Sequence, residues 1–223
     1  GKAKNNYILY LSPEELQKIE QTTITSKSLM NTRKWLLLGC NLGQRGQDLL
    51  NLTKTNFVTR KGLEVIELKQ QKTGRQVTIP VLPVTKEILK EGLPYGISLQ
   101  KFNKLLKDLC KEVGIDEVIP GMKIEMVDKN GKVIPRDKNG KRKEKGEKRK
   151  IKGTFPKWQL MSSHVCRRSF ATNTYGVLPT PLIMQITAHS TEKMFLGYIG
   201  KSSMDYAQQI ADFYAKQAQK NNL

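Results

Sequence analysis

The apolar period of this chain switches from helical to alternating between residues 63 and 81, and that switch limits the architectures open to it. Leu63-Glu64-Val65-Ile66-Glu67-Leu68 and Gln76-Val77-Thr78-Ile79 are β-prone runs, and Thr73-Gly74 between them is a hairpin-turn signal. Around this island the apolar residues recur at helical spacing. Ser12-Pro13-Glu14-Glu15 is a capping box with proline at the first helical position, opening a helix to about residue 20. A second helix is expected over about residues 28–40, including Trp35, Leu36, Leu37 and Leu38. After Gly43 a short helix carries Arg45, Asp48, Leu49 and Leu50. Thr85 starts another short helix. Ser98 caps a longer one ending near Gly114, with Phe102, Leu105, Leu106, Leu109 and Val113 on one face. Further helices are expected from Ser162 through His164 to about Tyr175, and from Thr180-Pro181 to Ala188. Another leads from a Ser190 cap to Tyr198, and a last one covers residues 204–220. In that last helix Tyr206 and Tyr214, spaced with Ile210 and Phe213, read as core tyrosines. The pattern predicts a mainly α fold with a small antiparallel β-sheet inserted near the middle.

One segment fits neither period. Residues 121–157 hold fourteen basic and five acidic side chains, so they carry +9 of a total formal charge of +19. Two Lys-Asn-Gly turn signals, at 129–131 and 138–140, suggest an exposed β-hairpin or a mobile loop. Such a segment is either a solvated low-complexity loop or an arm lying along phosphates. The total charge exceeds what solubility requires and points to a polyanionic partner, either nucleic acid or an anionic membrane surface. No stretch is long and apolar enough to span a bilayer, and no signal-peptide pattern opens the chain. Cys40, Cys110 and Cys166 are scattered and odd in number, which argues against a disulfide framework or structural zinc and fits a reducing cytoplasm. The opening Gly1-Lys2-Ala3-Lys4-Asn5-Asn6 lacks an initiator methionine and reads as a junction or an excised fragment.

Four local patterns carry chemistry when taken together. They are Gly43-Gln44-Arg45-Gly46-Gln47-Asp48; Gln71-Lys72-Thr73-Gly74-Arg75; His164-Val165-Cys166-Arg167-Arg168-Ser169-Phe170-Ala171-Thr172; and Ala188-His189-Ser190 with Tyr198 nine residues after His189. Cleavage of a phosphodiester by a side-chain hydroxyl builds negative charge on the non-bridging oxygens, and preorganised cations answer it best. Arginine suits this task through its planar, permanently charged fork. Arg45 and Arg167 are the candidates, and His164 shares a helix face with Arg167 three residues on. A lysine at a hairpin tip, Lys72, can protonate a leaving 5′-oxygen. A tyrosine of ordinary pKa is a poor nucleophile at neutral pH, but surrounding cations favour the phenolate and a histidine can take its proton. Tyr198, with either His164 or His189, fits those places. The chain has only two histidines, and both fall inside these patterns.

The order Arg, Lys, HxxR, His, Tyr resembles the catalytic domain of tyrosine recombinases, the phage-integrase family, from about Ser12 to the C-terminus. Arg167-Arg168-Ser169-Phe170-Ala171-Thr172 and His189-Ser190-Thr191-Glu192-Lys193 through Tyr198 are similar to integrases of bacterial mobile elements, those of the Bacteroides group in particular. The resemblance implies the DNA breaking-rejoining fold over residues 1–223, and strand cleavage on double-stranded DNA through a 3′-phosphotyrosine at Tyr198, with no metal and no cofactor. It makes Arg45 and Arg167 phosphate clamps, Lys72 the general acid, His164 the HxxR histidine, His189 the third hydrogen-bonding position and Asp48 the acid supporting the first arginine. It also implies a homotetramer on DNA joined through the C-terminal segment, and an accessory directionality factor as a further partner. An N-terminal core-binding domain would lie outside this chain. Three departures stand out: Gln44 where leucine is usual, Ala188 where glycine is common, and the long basic insertion.

Peripheral DNA contacts are expected from Arg75, Arg168, Lys141, Arg142, Lys143, Lys148, Arg149 and Lys150. Arg75 reads equally as a backbone-phosphate contact or a surface charge. Arg168 is expected to face away from Arg167, toward phosphate or solvent, and Cys166 to pack inward. A catalytically silent DNA-binding module of the same fold and a type IB topoisomerase are the competing functions. A basic RNA-binding protein would explain the charge but not the ordered motifs.

Overall fold

The structure, a computed structural model, describes residues 7–135, 137, 141–142 and 144–221. Among these, helices α1 (Pro13–Gln21), α2 (Lys27–Leu42) and α3 (Gly46–Leu50) come first. A three-stranded antiparallel sheet follows, of β1 (Phe57–Arg60), β2 (Leu63–Lys69) and β3 (Gln76–Pro80), in the order β1-β2-β3. Helices α4 (Pro83–Ile88) and α5 (Leu99–Glu112) lead to a two-stranded hairpin of β4 (Val118–Val127) and β5 (Glu147–Pro156). The chain closes with α6 (His164–Thr174), α7 (Thr180–Thr187), α8 (Glu192–Ile199) and α9 (Ser203–Asn221).

Local signals explain most of these boundaries. Ser12 Oγ accepts the Glu15 amide while the Glu15 carboxylate accepts the Ser12 amide, the reciprocal box read from the sequence. Ser26 and Ser98 cap α2 and α5 through their hydroxyls. The core forms around α2, which packs on α5 and α6 and buries Trp35, Leu36, Leu38 and Leu42. Each such side chain contributes about 1.5–3 kcal/mol by leaving water. Ile66 and Leu68 of β2 face the core opposite Ile79 and Val77 of β3, so the alternation in the sequence sets which face is inside. Cys40, Cys110 and Cys166 are all buried and free.

Several expectations need correction. Strand β1 was not expected: Phe57-Val58-Thr59-Arg60 is too short to show alternation, and it exists because it pairs with β2. Helix α4 begins at Pro83 rather than Thr85, since proline at the first position needs no amide partner. The cap of α8 is Thr191, whose hydroxyl accepts the Met194 amide, and not Ser190. The basic segment is the hairpin rather than a loop, although it starts three residues early, at Val118. Its second turn signal, at 138–140, lies outside the described residues. Tyr206 and Tyr214 are not core residues. They are 36% and 67% exposed, and Ile210 and Phe213 are 60% and 57% exposed, because nothing among the described residues covers the apolar face of α9.

Candidate active site

The tight sequence Gly43-Gln44-Arg45-Gly46 sets the first cation. Gly43 ends α2 in the left-handed region (φ 64°), where a β-carbon would also collide with Phe170, so the chain turns there and presents its carbonyl inward. That carbonyl accepts a hydrogen bond from Arg167 Nη1 at 3.2 Å. Gly46 touches α6 directly: a β-carbon on it would lie 2.4 Å from Ser163 Cβ. Arg45, between these glycines, is the N-cap residue of α3 and donates from Nη1 to Gln70 Oε1 at 2.6 Å. Gln70 in turn donates from Nε2 to Gln44 Oε1 at 2.8 Å, and Gln44 Nε2 donates to the carbonyls of Leu42 and Ile186. Both glutamines are fully buried. Leucine at position 44 could not support this chain, so the departure from the family pattern has a structural consequence.

Asp48 is buried and accepts the Gln71 backbone amide at 2.9 Å. It therefore fixes the β2–β3 turn that carries Lys72, while Arg45 is held by Gln70. Gln70 has no recognisable mark in the sequence; it follows a strand, and only the folded neighbours reveal its role. Lys72 is exposed on the turn, and its charge reaches His164. Arg75 donates to Gln185 Oε1 of α7 at 2.9 Å and ties the same turn to the last third of the chain.

Helix α6 supplies His164 and Arg167. Arg167 is 3% exposed, and burial together with the Arg45 charge pushes its pKa down to about 10. His164, at the first turn of α6, is held below its ordinary pKa by desolvation and by Arg168, Lys72, Arg167 and Arg45. Arg168, expected to point toward phosphate or solvent, instead meets a ring. Its guanidinium lies 4.7 Å over the ring centre of Tyr198, because α8 packs on α6 and offers it a ring face.

His189 follows Ala188, whose left-handed backbone (φ 50°) explains why glycine is common at that place. Its ring packs edge-on against Phe195 at 5.5 Å and tilted against Tyr198 at 5.0 Å between centres. Desolvation and the charges of Arg167 and Arg45 push its pKa down to about 4. The Tyr198 hydroxyl is buried and finds no hydrogen-bond partner among the described residues. Burial raises its pKa, and the charges of Arg168, Arg167 and Arg45 oppose that rise. A cleft of about 620 Å³ opens beside the tyrosine, lined by Ile8, Met122, Lys152 and Arg168 among others. All six residues picked as catalytic from the sequence thus come to one place from five separate parts of the chain. The set gathers permanent cations around a phenol, an arrangement able to stabilise the negative charge that builds on a phosphate under attack. No group of metal-ligating side chains forms among the described residues.

The peripheral basic residues divide. Lys148 and Lys150 point to one exposed face of β5 with Lys152, opposite Met126, Ile124 and Met122 of β4. Arg149 belongs to the other face and pairs with Glu147. Arg142 is turned inward, donating to the Ile134 carbonyl and pairing with Glu125. Lys141 is exposed, and its amide bonds to Asp137. Lys143 lies outside the described residues.

No protein-family model matches the sequence, and no curated protein matches it. Solved structures do. The XerH site-specific recombinase bound to palindromic difH substrate is 15% identical with a TM-score of 0.55, over 96% of this chain and 56% of that one. The Tn1549 transposon integrase in complex with transposon right end DNA is 11% identical with a TM-score of 0.60, over 96% of this chain and 68% of that one. The XerA recombinase is 14% identical with a TM-score of 0.58, over 97% of this chain and 66% of that one. The chain spans little more than half the length of the XerH structure, and at these identities the likeness is one of fold. The fold is that of the tyrosine-recombinase catalytic domain, mainly α with small antiparallel sheets.

Proposed function

We propose that this chain is the catalytic domain of a site-specific DNA recombinase that cuts and rejoins strands through a 3′-phosphotyrosine at Tyr198. The observation that carries the proposal is the convergence of Arg45, Arg167, Arg168 and Lys72 on one histidine, His164, with Tyr198 and His189 packed beside them. Arg45, Arg167 and His164 hold the scissile phosphate, with His189 completing the group. Tyr198 attacks phosphorus, and Lys72 gives its proton to the departing 5′-oxygen. The phosphotyrosine keeps the bond energy, so a 5′-hydroxyl from another strand can reverse the step. The arginines answer the phosphate charge, so the chemistry calls on no metal or nucleotide.

The solved recombinases of this fold that are described as bound to DNA support double-stranded DNA as the partner. The row of Lys148, Lys150 and Lys152 gives the hairpin a cationic face for phosphates. The uncovered apolar face of α9 supports assembly through that helix, and four copies on two duplexes would allow strand exchange. The phrasing around Arg167 and His189 supports a bacterial mobile element of the Bacteroides type as the source, which places the work in the cytoplasm on DNA. A directionality factor belongs to the same reading. No helix among the described residues is long and apolar enough to cross a membrane.

The test is a pool of nicked, partly randomised duplexes incubated without metal, with Tyr198→Phe as control. A nick near the cut lets the short leaving fragment diffuse away and traps the covalent complex. A detergent-stable adduct from the parent chain alone supports the proposal. DNA binding with no adduct favours a binding-only module, and relaxation of supercoils without partner exchange favours a topoisomerase.

A further inference from the structure

His189 is held by more than the packing of two rings. Its Nδ1 lies 2.9 Å from Thr187 Oγ1, and the same oxygen lies 2.8 Å from the Ile183 carbonyl. The Ile183 carbonyl can only accept, so the single hydroxyl hydrogen of Thr187 points to it. Toward His189 the hydroxyl can then only accept, and Nδ1 must carry the hydrogen. Thr187 is fully buried, so no water competes for either bond. A ring flip would replace Nδ1 by a carbon and break the Thr187 bond. In the neutral ring the other nitrogen, Nε2, is therefore a bare lone pair. No described residue donates to Nε2, and the neighbouring ring is that of Tyr198, 5.0 Å between centres. The buried Tyr198 hydroxyl makes no hydrogen bond to Nε2 or to any other described residue, so the contact must tighten when phosphate binds.

We propose that Thr187 locks His189 as the Nδ1–H tautomer and that His189 Nε2 accepts the phenol proton of Tyr198. The proposal rests on the reading of Tyr198 as the nucleophile, and it removes His189 from the groups that hold the phosphate, since a neutral ring with Nδ1–H has no hydrogen on Nε2 to donate. In the forward step the Tyr198 O–P bond forms, the P–O5′ bond breaks, the phenol proton passes to Nε2, and a proton from Lys72 passes to O5′. In religation the imidazolium returns its proton to the departing phenol oxygen. The charged groups facing His189 are Arg167 and Arg45, and both keep it neutral until a phosphate offsets them. His189 rather than His164 is the candidate because its ring packs on that of Tyr198, 5.0 Å between centres. Thr187 acts through His189 and is a positioning residue.

The tautomer can be read directly, since the chain has only two histidines. Long-range nitrogen–proton correlations on labelled protein at neutral pH should show His189 as Nδ1–H. Thr187→Val, which keeps the shape but not the hydroxyl, should release the lock, and Thr187→Ser should restore it. A wild-type Nε2–H tautomer overturns the proposal whatever the activity. The acceptor role is read from nicked duplexes in which sulfur replaces the leaving 5′-oxygen. A thiolate departs without a proton, so a defect that persists on this substrate does not lie at the leaving group. The Nδ1–H tautomer, which leaves Nε2 no hydrogen for phosphate, then separates the nucleophile from the phosphate clamp. His189→Gln and Thr187→Val should remain slowed, by about 10²-fold for His189→Gln, while Lys72→Ala should recover. Recovery of His189→Gln on the sulfur substrate would assign it to the leaving group and sink the acceptor role. If the parent chain forms no adduct on either substrate, the strand-cleavage reading fails and takes the acceptor role with it, while the tautomer still decides the lock.

Discussion

Replacing Gln70 separates what holds Arg45 from what holds the fold. Gln70 is fully buried, and its amide joins Gln44 Oε1 on one side and Arg45 Nη1 on the other. Gln70→Leu removes both bonds and a third, from Thr73 Oγ1 to Gln70 Oε1 at 3.1 Å, which the exposed Thr73 can replace with water. Gln44 Oε1 is left without a donor in a site closed to water, which costs about 1–3 kcal/mol, and the lost bond to the arginine adds about 1 kcal/mol. A loss of about 2–4 kcal/mol in denaturant unfolding is expected. Arg45, half-buried and no longer anchored, leaves the position where it meets phosphate, so adduct formation per folded molecule should fall about 10–10²-fold. Gln70→Glu tells the two effects apart. Its carboxylate still accepts from Arg45, but it turns an oxygen on Gln44 Oε1. Gln44 cannot reverse its amide without withdrawing Nε2 from the Leu42 and Ile186 carbonyls. This variant should therefore lose stability yet cut within about tenfold of the parent rate. If Gln70→Leu cuts at the parent rate while being destabilised, the chain Gln44–Gln70–Arg45 does not position the arginine and the argument is wrong.

Three further predictions follow from single observations. His189 has a folded pKa near 4 against an ordinary value of 6.5, so the unfolded chain takes up its proton first as pH falls. Stability should drop between about pH 6.5 and 4, and His189→Gln should flatten part of that slope in denaturant titrations; an unchanged slope would contradict the shift. Ala188→Gly relieves the left-handed backbone at φ 50° and should raise the melting temperature, with a gain up to about 1 kcal/mol. A lower melting temperature would show that the position is not strained. Ile210→Asp and Phe213→Asp, on the uncovered face of α9, should leave unfolding within about 0.5 kcal/mol of the parent and reduce multimers on DNA. A large loss of stability would mean that α9 packs on its own domain.

The candidate set that the fold brings together was legible because it uses residue types that are rare in this chain. With two histidines and a fixed order of Arg, Lys and Tyr, few other readings of His164, His189 and Tyr198 remained. Two helix starts were legible for a similar reason, since Ser12 and Ser98 act on amides within three residues of themselves, whereas the Ser26 cap of α2 was not read from the sequence. What the sequence hid depends on distant partners. Strand β1 is four residues long and is defined by pairing with β2. Gln70 and Thr187 are ordinary polar residues until Arg45 and His189 are placed against them. Arg168 lies next to Arg167 in sequence, and its stacking on Tyr198 follows from where α8 lands on α6. The α9 stripe of Tyr206, Ile210, Phe213 and Tyr214 has the period of a core helix, and periodicity alone does not say whether the covering surface lies in the same chain.

The central claim is that the tyrosine of α8 becomes covalently joined to DNA, and peptide mapping of the trapped adduct tests it most directly. The adduct would be digested with nuclease and protease, and the nucleotide-bearing peptide sequenced by tandem mass spectrometry. The account predicts a phosphonucleotide on Tyr198, within the peptide from Met194 to Lys201, and none on Tyr175, Tyr206 or Tyr214. A nucleotide on any of those tyrosines, or on a serine, would contradict it.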